Sequence, residues 1–191
     1  MTSNIKIKKF SHFWNSSLTA YAQPEVPQAC LLLQDQYSLD VNLILFCCWY
    51  GSTHGYLTKD EFDLALAFSI SWTNHVVHPL RKTRKWMKQT GPKKSCMSES
   101  AFTTLRNEIK KSELAAEHIQ QDTLENLISK PPVDLKTEKK IINMAKNLSR
   151  YLSACNVQLS IDALSKLAHI ITAFVADSEK ENVFITLKKY T

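Results

Sequence analysis

Apolar residues recur along most of the chain at intervals of three and four, the period of a helix with one face turned inward. Phe10, Phe13, Trp14, Leu18 and Tyr21 set the first such stripe and predict a short helix over 10–21. Pro24 ends it, and Pro27 suits the first turn of a second helix over 26–37, where a missing N–H is no loss. The next stretch departs from the pattern. Every position from Leu43 to Tyr50 is apolar, so the helix here must be surrounded on all sides. The sequence predicts Ser38 as its N-cap, Asp40 in its first turn at the positive end of the dipole, and a stop at Gly51.

A sharper start follows. Thr58 and Glu61 have the spacing of a capping box, and Leu57 with Phe62 that of a hydrophobic staple. This helix carries Phe62, Leu66, Ile70, Val77 and Leu80, and Pro79 predicts a kink because it removes a backbone donor. Helix resumes over 81–88 and ends at Gly91-Pro92. After a linker, Lys93–Met97, Ser98 caps a long helix to about Ile128, with Phe102, Leu105, Ile109, Ala116, Ile119 and Leu127 on one stripe. Charge on its other faces places it on the outside. Lys130-Pro131-Pro132 stops it, and two more helices follow over 135–155 and 161–176, the second capped by Ser160. Val183–Thr191 reads either as a docked extra turn or as a loose tail.

The pattern therefore predicts an all-α protein: a single compact helical bundle over 1–191, with six or seven helices around a central buried helix near 39–50. Within it, a motif-bearing core spans about 10–90, charged outer helices about 98–176, and a C-terminal tail 177–191. Composition agrees, since 3 glycines are too few for the turns of a sheet protein.

Chemistry is more easily excluded than assigned. The 5 cysteines contain no CxxC pair, which speaks against a zinc ribbon or redox motif and for reduced thiols in the cytoplasm. Met1–Lys9 is polar and unlike a signal peptide. The apolar run Leu43–Tyr50 falls far short of the roughly 20 residues of a membrane span. There is no glycine-rich phosphate loop and no Gly-x-Ser-x-Gly elbow. His75 and His78, three apart, come nearest to a metal pair but lack further ligands at metal-site spacing. No catalytic residue, cofactor or metal is expected.

The central stretch also resembles a known family. Cys30-Leu31, Leu33-Gln34-Asp35, Asp40-Val41-Asn42, Leu45-Phe46 and Trp49 are similar to the core motif of small bacterial proteins known as a domain of unknown function. Trp14, Tyr21, Val26, Trp72, Val77, Pro79, Leu80 and Arg81 fit the same likeness. It extends over roughly 10–88 and implies a cytosolic bacterial protein, with no activity, cofactor or partner attached.

Two groups of residues remain as candidate sites. Arg81, Lys82, Arg84, Lys85, Lys88, Lys93 and Lys94 lie between Val76 and Ser98 with no acid among them, while the whole chain carries +6. The basic character is thus local. Arg81, Arg84, Lys85 and Lys88 share a helix face, and Trp86 at its edge could stack on a base. This points to a non-enzymatic binding protein that uses 81–94 to contact RNA, a ribonucleoprotein surface or an acidic protein. The second group is a polar cluster inside the most apolar region: Gln34, Asp35, Asp40 and Asn42. Either it wires two buried helices together, or Asp35, Asp40 and Asn42 line a pocket for a small ligand or a reaction.

Overall fold

The computed structural model describes residues 12–94, 97–127, 130–175 and 180–191. Phe10, Cys96 and Ile128 lie outside these residues, as do the side chains of Lys93 and Lys94. The described chain is all-helical: α1 (His12–Tyr21), α2 (Val26–Tyr37), α3 (Val41–Thr53), α4 (Lys59–Trp72), a π turn (Thr73–Val77), α5 (His78–Lys94), α6 (Glu99–Leu127), α7 (Thr137–Ala154), α8 (Ile161–Thr172) and α9 (Lys180–Tyr190). With α4, the π turn and α5 taken as one kinked rod, there are 8 helices, slightly more than the sequence predicts.

α3 is the axis. Its residues from Asn42 to Ser52 are all buried, because α1, α2, α6, α7 and α8 close round it. Its ends correct the sequence reading in two places. Ser38 is not its cap but the left-handed residue that finishes α2, with φ 56° and its N–H directed at the carbonyls of Gln34 and Leu33. Only Leu39 and Asp40 then remain before α3, and Asp40 becomes the N-cap, accepting the Asn42 N–H at 2.8 Å. Gly51 does not stop the helix, which continues to Thr53. A Cβ at Gly51 would lie 2.7 Å from the backbone nitrogen of Met144 on α7. Glycine is there so that two helix backbones can touch.

The capping box forms as the spacing predicts: the Thr58 N–H donates to Glu61 at 2.8 Å and the Glu61 N–H to Thr58 Oγ1 at 3.4 Å. The staple residues Leu57 and Phe62 are both buried. The kink expected at Pro79 appears one turn earlier, as the π turn, where the His78 N–H reaches back five residues to the Thr73 carbonyl. The wider loop gives the proline ring room against the preceding turn. Gly91, at φ 67° and ψ 168°, breaks the helical path of α5 as expected.

α6 packs differently from its apolar stripe. Leu105 and Ile119 are exposed, and Glu113, Gln120 and Gln121 are buried beside Phe102, Ala116 and Leu124. Its inner face meets the polar start of α3 and the cations of α5, so hydrogen bonding sets its rotation. α7 and α8 are not outer helices. Ile141, Met144, Ala145 and Leu148 pack directly on α3, and Leu167, Ile170 and Ile171 join the same core. α9 is a docked helix of three turns, longer than the extra turn the sequence allowed, with Val183 and Leu187 fully buried on α7 and α8.

Candidate functional site

α5 contains no acidic residue, so its cations must find partners elsewhere or face water. α6 supplies two of the acids. Glu113 and Glu117 are four apart and present both carboxylates to α5. Arg81 Nε donates to Glu113 Oε1 at 2.8 Å and its Nη2 to Glu117. Arg84 grips Glu113 through Nε and, at 3.0 Å, through Nη2. All four side chains are mostly covered. Burial pushes the Glu113 carboxyl upward, but hydrogen bonds from Arg84 and Arg81 outweigh it and hold the group below its ordinary range. For Glu117 burial prevails, with Glu113 and Asp40 adding repulsion, and its carboxyl titrates above the ordinary range despite Arg81.

Lys85 reaches sideways to α2 and pairs with Asp35 at 2.7 Å on the surface. That contact, together with Gln34, holds the Asp35 carboxyl below its usual value. The sequence-predicted basic face is therefore largely turned toward acids of the same chain. Lys82 and Lys88 are exposed and have no partner among the described residues. Trp86 is 56 % exposed and sits one turn from Lys82, on the side opposite Arg84, since successive helical residues advance by about 100°. The outward face of α5 thus carries Lys82, Trp86 and the flank of Lys85.

The polar cluster of the central stretch does not assemble as one site. Asp35 and Gln34 belong to the surface pair with Lys85, whereas Asp40 and Asn42 enter a buried network. Asp40 Oδ2 accepts Thr73 Oγ1 and Gln120 Nε2, each at 2.7 Å. Asn42 donates to Gln120 Oε1 at 2.9 Å and accepts from Gln121 Nε2 at 2.7 Å. The Asp40 N–H meets the Tyr151 hydroxyl of α7 at 2.7 Å. Nearby, the Trp72 indole donates to the Ala116 carbonyl at 2.9 Å. The arrangement ties α3, the π turn, α6 and α7 at one point, and its polar atoms bond mainly to one another.

Sequence reasoning did not find Thr73, Glu113, Glu117, Gln120, Gln121 or Tyr151. A signal existed: 113, 117, 120, 121 and 124 lie on one helical face, and that face is the buried one.

At the other end of α3 lies an open cleft of about 1050 Å³, lined by parts of α1, α3, α6, α7 and the segments after α6 and α8. Trp49, His54, Lys130, Lys140 and Phe174 are among its walls. Many of its polar groups already have partners. Glu125 accepts the N–H of Phe13 at 3.0 Å at the start of α1, and Lys130 pairs with Glu61. The His54 ring stacks on Tyr50 at 4.9 Å, and burial holds its pKa below the ordinary histidine value.

Among the described residues, no group of three His, Cys, Asp or Glu is placed to hold a metal ion. No helix there is long and apolar enough to cross a membrane. Cys30, Cys47, Cys48 and Cys155 are free thiols. Burial raises the first to about 12 and the next two higher, so these are packing groups rather than nucleophiles.

A family model described as a protein of unknown function (DUF2390) matches residues 12–124, more than half of the chain. The chain belongs to this family. No curated protein and no solved structure matches it. The DUF2390 segment holds α1 to α5 and nearly all of α6, hence all three arginine–glutamate pairs and most of the Asp40 network. Tyr151 and the helices that bury the other side of α3 lie beyond it.

Proposed function

We propose that this DUF2390 protein is a non-catalytic binding protein in the cytoplasm, and that the outward face of α5 engages an acidic protein surface. One observation carries the reading. On a helix with seven cations and no acid, the arginines turn inward, yet Lys82, Lys88 and Trp86 stay exposed with no acid beside them among the described residues. An exposed indole between lysines is a contact surface of the kind found at the centre of protein interfaces. An acidic protein is favoured over RNA because the forked guanidinium groups that would grip phosphates are held by Glu113 and Glu117.

The test is retention of the full chain on immobilised poly-glutamate and on single-stranded RNA across a salt gradient. Stronger retention on poly-glutamate is expected, and Lys82→Glu with Lys88→Glu should move elution to clearly lower salt. A preference for RNA that survives this double change would overturn the proposal.

A second reading, a small-ligand binder, is supported by the cleft beside Trp49 and His54 rather than by Asp35, Asp40 and Asn42, whose polar atoms are engaged within the protein. A thermal-shift screen of small metabolites against the wild-type chain and a Thr53→Trp variant tests it. A hit stabilising both chains equally would place the ligand elsewhere.

A further inference from the structure

The rod formed by α4, the π turn and α5 lies at an edge of the bundle, with α4 supported mainly by α6. Charge along it is distributed in three blocks. A net-acidic block, Asp60, Glu61 and Asp63 with the single cation Lys59, stands at its start, the seventeen residues Leu64–Leu80 contain no Asp, Glu, Lys or Arg, and a purely basic block follows from Arg81. Residues three or four apart along its outer side are all exposed: Asp60, Asp63, Leu64, Ala67, Ile70, Ser71, Asn74, His78, Lys82 and Trp86. Leu64 and Ile70 are 49 % and 52 % exposed, although the stripe offers water few charges of its own.

The order acidic, uncharged, basic along one exposed stripe is self-complementary when two such rods run antiparallel. A two-fold axis makes every contact twice, so an acid at one end meets a base at the other on both sides of the joint. Asp60 and Lys82 each lie eleven residues from Ser71. Crossing at Ser71 therefore sets Asp60 against the Lys82 of a second copy and Leu64 against its His78, with Ile70 beside the small Ser71 at the axis. Neither Asp60 nor Lys82 has an ion-pair partner among the described residues. Asp63 has only the exposed Lys59 at 2.6 Å, a pair of the kind that contributes little and exchanges easily.

We infer that the acidic partner of the α5 face is a second copy of this chain, and that the protein forms an antiparallel dimer along the outer stripe of α4 and α5. This rests on the reading of α5 as a surface for an acidic protein and names that protein. Leu64 and Ile70 gain cover from water, and the charge blocks fix direction: parallel pairing would set like charges side by side.

Light scattering on the full chain after size exclusion, at low and at high salt, supplies the test together with a charge exchange. Wild-type protein at low salt should have twice the chain's mass. The variant Asp60→Lys with Asp63→Lys, and the variant Lys82→Glu with Lys85→Glu, should each be monomeric, because every joint then faces like with like. An equimolar mixture of the two should recover the doubled mass, since an outer stripe with only bases at 60, 63 and 82 meets one with only acids at those positions. Recovery on mixing cannot arise from misfolding. Wild-type protein that stays monomeric at every concentration and salt, or a mixture that stays monomeric, overturns the dimer. Failure of the dimer alone is recognisable: the monomeric wild-type chain then still binds poly-glutamate, and Lys82→Glu with Lys88→Glu weakens that binding. If that binding is also absent, the reading of α5 fails with it.

Discussion

α3 and α7 meet through a bare Gly51 pressed on the backbone of Met144, whereas α5 and α6 meet through two arginines folded onto two glutamates. The first joint is held by close approach of apolar surfaces and tolerates no added atom. The second is held by directed bonds between groups that would be costly to leave alone. A dry joint is specified by shape and fails through volume; a charged joint is specified by partners and fails through orphaned groups. The two also differ in where the family segment lies. The charged joint falls inside DUF2390, while the dry joint pairs a family helix with one beyond it.

The dry joint breaks most severely. Gly51→Val drives a branched side chain into the Met144 backbone and should cost about 3 kcal/mol or more in urea unfolding. If it costs nothing, the close approach of α3 and α7 is wrong.

In the charged joint, Glu113→Gln keeps the shape but leaves Arg81 and Arg84 short of charge in a covered site. A loss of about 2 kcal/mol is expected there, and no loss at neutral pH for Glu117→Gln, because burial already disfavours the ionised Glu117 and Arg81 keeps Glu113. Equal losses at the two positions would contradict the roles assigned to them.

The dry joint contains a polar thread as well. Asn147, fully buried, accepts the Leu57 N–H at 3.0 Å and donates toward the Cys47 and Gly55 carbonyls. Asn147→Leu strands those backbone groups and should also cost about 2 kcal/mol by the same measurement.

A finer contrast appears with pH. Glu113 is held below its unfolded value, so its contribution is complete at neutral pH and disappears only as acid passes below the ordinary carboxylate range. Glu117 is held above its unfolded value, so its ionised form opposes folding, and lowering the pH toward that range relieves the opposition. Between neutrality and the carboxylate range, Glu117→Gln should therefore lose more stability on acidification than wild type. A matching pH profile would remove the opposed assignment. Smallest of all, Trp86→Ala should leave unfolding within about 0.5 kcal/mol of wild type, since the indole is largely in water.

Local rules made the α4 cap, the break of α5 at Gly91 and the all-round burial of α3 legible, because each depends on neighbours in sequence. The rotation of α6 was not legible. Its apolar stripe through Leu105 and Ile119 competes with the polar series Glu113, Glu117 and Gln120, and only contact with Arg81, Arg84 and Asp40 decides which face goes inside. The fate of the basic segment followed the same logic: seven cations in a row show charge, but not that Glu113 and Glu117 answer two of them from about thirty residues away along the chain. Gly51 shows the limit from the other side. A glycine after an apolar helix fits a stop as well as a backbone crossing, and Met144 is needed to choose.

The π turn at Thr73–Val77 sets the phase of everything after it. A π turn holds one more residue than an α turn, so removing Asn74 would return the rod to α spacing before Pro79 and rotate α5 by about 100° against α4. Arg81 and Arg84 would swing off Glu113, while Lys82 would leave the line of Ile70 and Ser71. A single extra residue thus decides which cations are kept inside and which are presented outside, and a chain of otherwise identical composition without it would show the world a different charge.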